Sequence, residues 1–215
     1  MKRRGNGRRM SAVQDVSGWI PKTKIGQKVK SGKITSIEEI FSLGKPILEE
    51  QIVDFLLPDL EYEVLEIRNT QRMTDCGRKM TFRVVVLIGD KKGYVGIGAG
   101  KSEEVRPAVE SAVKEAKRNI VSVKGGCGSW ECACGGKHSI PFKTRGKVGS
   151  VIVELKPGPR GLGLVANEVV KKVLELAGIK DVMSSSRGQT GNVYNTALAA
   201  ITALDNMNHV KKISS

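Results

Sequence analysis

Four side chains with metal-binding chemistry fall within the twelve residues "CGSWECACGGKH": Cys127, Cys132, Cys134 and His138. Three thiols and an imidazole are the ligand types of a closed tetrahedral zinc site. The spacing, C-x4-C-x-C-x3-H, holds no C-x-x-C knuckle, and C-x-C places two ligands awkwardly. On spacing alone, reduced thiols in a surface loop are the better reading, with no metal, no cofactor, and His138 opening a strand. Cys76 stands apart.

A second stretch, "GYVGIGAGKSEEV" (residues 93–105), has the look of a phosphate cradle. A phosphate loop needs glycine, four residues, then Gly-Lys-Ser/Thr, and position 95 is Val. The dinucleotide pattern G-x-G-x-x-G ends on Lys101 or Glu103 instead of glycine. Because the spacing of successive N–H groups sets their aim at one anion, nucleotide binding is not expected. The glycines are expected to leave flat backbone that a large partner can approach closely. Catalysis is not expected either: two histidines, His138 and His209, stand among serines without an acid/base pair or nucleophile signature. The polar run "SSSRGQTGN" (184–192) reads as a cap for the last helix, with Arg187 free to meet an anion.

The elements that must carry these residues follow from pattern. The chain has 215 residues, a net charge of +14 and 4% aromatic residues, a balance that favours an anionic partner, foremost nucleic acid bound by its backbone. No apolar run reaches the roughly 18 residues of a membrane span, and the basic N-terminus is not followed by the apolar segment of a secretory signal. Residues 1–34 read as a basic arm unable to fold alone. Residues 35–60 carry short amphipathic helices, with Ile37, Ile40 and Phe41 on one face and Pro46 as an interruption. Residues 61–124 read as strand, strand, strand, helix. "EVLEIRNTQRM" is the first strand, with Leu65 and Ile67 on one face, "DCGR" is a turn, "KMTFRVVVLIG" is the second strand, "GDKKG" with Lys91 and Lys92 is a hairpin, and Ser102 is the N-cap of the helix. That helix carries Val105, Ala108, Val109, Ala112, Ala116 and Ile120 on its apolar stripe and Lys114, Lys117 and Arg118 opposite. Residues 125–136 form a glycine-rich connection. Residues 137–215 alternate strands and helices, including a helix over "LVANEVVKKVLELAG" closed by Gly178, so a mixed α/β layer is expected.

The order helix–strand–strand–strand–helix, with its "GKS" entry into the last helix, resembles the double-stranded-RNA-binding domain, where Lys101 and the helix start would touch RNA phosphates. The run "RVVVLIGDKKGYVGIGAGKSEEVRPAVESAVKEAKRN" resembles the signature of the small-subunit ribosomal protein S-five family. "GSVIVELKPGPRGLGLVA", "LELAGIKDV" and "TALAAITAL" are similar to its C-terminal domain, and "IPKTKIGQKVKSGKITSIEEI" to its archaeal and eukaryotic-cytosolic branch. The resemblance implies an α+β protein of two domains, the N-terminal one like the double-stranded-RNA-binding fold and the C-terminal one an α/β domain with a left-handed βαβ crossover. It implies a cytoplasmic, non-enzymatic constituent of the small ribosomal subunit. Such a protein binds rRNA at the head–body junction near the mRNA entrance, touches protein S-four among other small-subunit proteins, and supports accuracy. It has no membrane or small-molecule partner. On that basis Arg68, Arg72, Arg78, Lys79, Lys91, Lys92, Lys101, Lys114, Lys117 and Arg118 are the expected RNA contacts, and Arg160 in "PGPRGLG" the expected protein contact. The alternatives are a free-standing double-stranded-RNA-binding protein and a nucleotide-binding enzyme using residues 96–102.

Overall fold

The computed structural model describes residues 10–11, 19–132 and 134–208. His209 and residues 1–9 and 12–18 of the basic arm lie outside them. The chain divides into two compact units: Met1–Ile88 with Gly96–Ile120, and Gly89–Val95 with Val121–Ser215. The hairpin "GDKKG" therefore groups with the second unit.

In the first unit, three short helices, α1 (Lys24–Lys30), α2 (Ile37–Ser42) and α3 (Glu50–Leu56), come before the long strands of the sheet. Helix α1 falls inside the stretch expected to be unfolded. Composition understated it because its anchoring comes from a distance: Glu49 accepts from the Trp19 indole at 2.9 Å and from the backbone N–H groups of Lys22 and Thr23. Thr23 caps α1 through Gly26 N–H, and Val29 and Ile34 are buried. The sheet runs β1-β2-β3-β4-β5: β1 (Met10–Ser11), β2 (Glu61–Thr74), β3 (Gly77–Gly89), β4 (Tyr94–Ser102) and β5 (Ile120–Ser122). Helix α4 (Val105–Arg118) lies between β4 and β5 in the chain, giving the helix, three strands, helix order that the sequence predicts.

The glycines of β4 have a different task from the one expected of them. Gly96, Gly98 and Gly100 share one strand face. A Cβ on Gly96 would meet Ala116 O at 2.5 Å, and one on Gly98 or Gly100 would strike the carbonyls of Ala112 or Ala108. These alanines recur every fourth residue along α4 and are fully buried. The partner that approaches the flat backbone is the chain's own helix. Ser102 ends β4, and the N-cap position belongs to Glu104.

The second unit builds a four-stranded sheet in the order β6-β7-β9-β8, from β6 (Thr144–Val148), β7 (Val151–Pro157), β8 (Leu164–Val165) and β9 (Val182–Arg187). Strand β8 is parallel to β9, and α5 (Glu168–Leu176) lies between them in the chain. The predicted helix from Leu164 is thus shortened, its first two residues joining the sheet. Gly178 follows the α5 C-cap at φ 81°, the left-handed geometry that glycine tolerates. Helix α6 (Val193–Asp205), capped by the Asn192 side chain on Asn195 N–H, packs on β6 and β7. Gly146 admits it as the β4 glycines admit α4, since a Cβ there would strike Ala199 O. Val151, Val153, Leu155, Ala199, Ala200, Ala203 and Leu204 are buried in this core.

Candidate nucleic-acid interface

Sequence reasoning runs the first strand to Met73 and opens the second at Lys79 around the turn "DCGR", while the family resemblance implies a loop over residues 69–80 beside which Arg68, Arg72, Arg78 and Lys79 meet RNA. Here the segment is a two-stranded ribbon. β2 and β3 continue to Thr74 and Gly77, leaving only Asp75 and Cys76 to turn. Threonine and alternating polar residues suit an extended pair with both faces in water. Thr70 Oγ1 and Thr81 Oγ1 lie 2.8 Å apart across the ribbon, and Thr74 Oγ1 donates to Gly77 O at 2.8 Å. This register sets Arg72 beside Lys79 on the face that also carries Arg68 and Thr70. All four cations are exposed. Arg68 Nε is 2.5 Å from Glu66, and Lys79 Nζ 2.5 Å from Glu103. The Glu103 carboxylate holds the Lys79 ammonium above its ordinary value, first by hydrogen bond and then by charge. Ile67, expected on an apolar face, is 49% exposed because it stands at the root of this ribbon.

Lys101 is exposed at the end of β4, before α4 begins, so it does not sit on the helix N-terminus. Lys91 and Lys92 are exposed on the hairpin, whose Asp90 carboxylate accepts from the N–H groups of Lys92, Gly93 and Tyr94. Lys91 has φ 60° and donates its backbone N–H to Leu176 O at 2.9 Å. On α4, Arg118 is exposed, and Lys114 is half-exposed, 3.8 Å from Glu50.

Lys117 is not an interface residue. Its side chain is fully buried, with Nζ 2.8 and 2.9 Å from the two carboxylate oxygens of Asp54. Helical spacing alone puts it beside Lys114 and Arg118, but α3 packs over that edge of α4. Burial pushes the Asp54 carboxyl above its ordinary value despite the opposing hydrogen bond and charge of Lys117.

A second basic surface, of which the sequence reading singled out only Arg187, lies in the second unit. In the second sheet Arg145 pairs with Glu154 and Glu154 with Ser185, while Lys147 pairs with Ile152 and Ile152 with Arg187. Helix α6 packs on one face of β6 and β7; the other face of the sheet carries Arg145, Lys147, Lys156 and Arg187, all exposed, with Lys143 beside them. The signal was present as the alternation Thr-Arg-Gly-Lys-Val, in which the buried positions are Thr144 and Gly146 instead of large apolar residues. Glu154 is the acid amid these cations. The hydrogen bond and charge of Lys143 at 3.1 Å, then the charges of Arg187 and Arg145, hold its carboxyl below the usual range.

Arg160 is exposed on the loop after β7, which is held by Asp181, whose Oδ1 accepts from Gly161 N–H at 3.1 Å and Gly163 N–H at 2.9 Å. Asp181 Oδ2 lies 2.8 Å from His138 Nδ1. Burial works to raise this carboxyl, but the Gly163 N–H, His138 and the Gly161 N–H together outweigh it and hold it low. Cys127, Cys132, Cys134 and His138 converge at one point, with all four ligand atoms within 4.8 Å of one another. No helix among the described residues is long and apolar enough to cross a membrane.

The two units display exposed basic side chains along a ribbon and over a sheet face, a distribution that suits a polyanionic partner. Residues 60–124 match the family model "Ribosomal protein S5, N-terminal domain", and residues 146–215 match "Ribosomal protein S5, C-terminal domain". The chain is similar to proteins named "Small ribosomal subunit protein uS5". The one from Aeropyrum pernix is 54% identical, covering 89% of this chain and 88% of the relative. That from Methanocaldococcus jannaschii is 51% identical over 92% and 91%, and that from Methanobrevibacter smithii 52% identical over 92% of each. The chain belongs to the ribosomal protein S5 family: it is a small-subunit ribosomal protein of the archaeal kind, a structural component of translation and not an enzyme.

Proposed function

We propose that the chain binds small-subunit rRNA at the head–body junction near the mRNA entrance, contacts protein S-four through the loop of Arg160, and supports decoding accuracy in the cytoplasm. The observation that carries the rRNA part is the exposed ribbon of Arg68, Arg72, Arg78 and Lys79. A narrow two-stranded element with cations along it reaches between RNA helices where a globular face cannot. Lys101, Lys91, Lys92, Lys114 and Arg118 add exposed charge, and the face of Arg145, Lys147, Lys156 and Arg187 adds a second contact area. Recognition is of backbone and shape, since cations without base-reading partners carry little sequence information.

The placement at protein S-four follows from the family resemblance, supported by the loop itself. Asp181 fixes the backbone on either side of Leu162, so the Arg160 guanidinium meets a carboxylate or phosphate at a low ordering cost. Sedimentation of tagged full chain with ribosomal subunits on a sucrose gradient tests the assignment. The protein is expected in the small-subunit peak after a moderate-salt wash; recovery mainly in the light fractions marks a free RNA-binding protein instead. For the accuracy role, Arg160→Glu is expected to leave assembly intact and to change stop-codon readthrough in a dual reporter. Unchanged readthrough with normal assembly places Arg160 away from the accuracy contact.

A further inference from the structure

We propose that Cys127, Cys132, Cys134 and His138 form a structural zinc site of the Cys3His type, within the segment that joins the two stretches matched by the family models. Convergence is the first ground. His138 Nε2 lies 3.2 Å from Cys134 Sγ and 3.7 Å from Cys132 Sγ, and no two of the four ligand atoms are more than 4.8 Å apart. A zinc ion with arms of about 2.3 Å to sulfur and about 2.0–2.1 Å to nitrogen needs ligand atoms roughly 3.5–3.8 Å apart, so only small side-chain rotations separate this cluster from a filled tetrahedron.

The fold supplies what the spacing lacked. Gly126 and Ser139 bond to each other through both backbone N–H groups, at 2.8 and 2.9 Å, and Gly128 N–H donates to Ile140 O at 3.0 Å. The loop of residues 127–138 is closed at its neck, so ligands at its two ends face each other across it. Glycine is required there, because a Cβ on Gly128 would strike Pro141 O.

The second ground is the imidazole. His138 and Asp181 side chains are 13% and 8% exposed, and Asp181 Oδ2 takes the Nδ1 position at 2.8 Å. A carboxylate at Nδ1 fixes the tautomer with hydrogen there and turns the Nε2 lone pair toward the thiols, the arrangement found behind metal-ligating histidines. His138 O also accepts from the backbone N–H groups of Lys180 and Asp181, which clamps the residue from both ends. A surface loop of idle thiols has no use for an imidazole held in this way. The four cysteines are free, and three thiols in one cluster cannot all pair as disulfides. Thiolate and imidazole select zinc over magnesium, calcium or manganese. On binding, the three thiol protons pass to solvent, and Cys127 gives up the bond its thiol donates to Cys132 O at 3.3 Å. The ion cross-links a segment without apolar anchors and holds Trp130, 92% exposed, on a fixed turn between two ligands.

The test uses the full-length chain purified under reducing conditions without chelator. Elemental analysis is expected to give one zinc per chain. Cobalt(II) added to the stripped protein should give the intense visible spectrum of tetrahedral thiolate coordination, saturating at one equivalent and bleached by zinc. Cys76→Ser should retain the ion and Cys132→Ser lose it, with Asp181→Asn binding zinc about 10–100-fold more weakly. The wild-type cobalt spectrum decides the matter even if Cys132→Ser misfolds. A stripped chain that gives only the pale spectrum of octahedral cobalt, or zinc that persists in folded Cys132→Ser, overturns the proposal.

Discussion

The ribbon of β2 and β3 and the open face of β6, β7 and β9 both display cations, yet they hold them differently. Along the ribbon toward its turn, both faces meet water, and Arg68 and Lys79 are matched by the nearby acids Glu66 and Glu103. A two-stranded hairpin is marginal by itself, so its position depends on the sheet at its root and on whatever it inserts between. In the second sheet α6 packs on one face of β6 and β7, and Arg145, Lys147, Lys156 and Arg187 stand on the other face around the single acid Glu154. The lesson is a division of labour. On the proposed function, the ribbon exchanges its Arg68–Glu66 and Lys79–Glu103 pairs for phosphates, whereas the sheet face, with the one pair Lys143–Glu154, offers its other cations from a supported surface.

That contrast can be broken at its foundations. Gly98→Val sets side-chain atoms into the Ala112 carbonyl and should cost about 3 kcal/mol or more, since neither β4 nor α4 can give way without leaving the core. Gly146→Val should do the same in the second unit against Ala199. Denaturant unfolding followed by hydrogen exchange should show loss of protection in the mutated unit. Uniform loss in both units would erase the distinction drawn between them.

Lys117 gives an effect of similar size. Lys117→Ala strands a buried carboxylate and should cost about 3–5 kcal/mol, while Lys117→Met with Asp54→Leu should restore wild-type stability or exceed it. The sign with pH is fixed by the raised Asp54 carboxyl: its contribution is present at acid pH and is lost as pH rises through that raised value. Melting curves from acid to neutral pH should therefore gain relative stability at neutral pH in the double variant. A double variant as unstable as Lys117→Ala would refute the ion-pair account.

Much of this architecture was legible in the residues. The order of elements from α3 to α4, the "GDKKG" hairpin and the alternating second unit follow from periodicity and turn chemistry. The candidate site was harder to read, for particular reasons. Lys117 obeys the solvent-face pattern of α4, and only the presence of Asp54 sixty-three residues earlier makes it a core residue. The β4 glycines look like a cradle for a ligand because one sequence cannot say that alanines at 108, 112 and 116 will fill it. The two strands of the ribbon were legible, and the loop that the family resemblance implies over residues 69–80 narrows to Asp75 and Cys76. The cysteine spacing looks poor because the neck between Gly126 and Ser139, which brings the ligands together, is made of backbone bonds that leave no mark on residue type.

Smaller effects separate the two surfaces. Arg145→Glu with Arg187→Glu should weaken rRNA binding without changing the melting temperature by more than a degree or so, because exposed charges contribute little to folding. Filter binding beside calorimetry checks both halves. Lys79→Ala should have the least effect on affinity, since Lys79 already holds Glu103 and its removal frees one acid as well as removing one cation.

The most direct measurement is the salt dependence of binding of the full chain to a small-subunit rRNA fragment, with and without the ribbon charges. If the ribbon lies among phosphates, replacing Arg68, Arg72, Arg78 and Lys79 together by alanine should reduce the slope of log affinity against log salt by about 3–4, near one per phosphate contact, with weakening alike across fragments of the same shape. An unchanged slope with full affinity would contradict the account and place the rRNA contact elsewhere on the molecule.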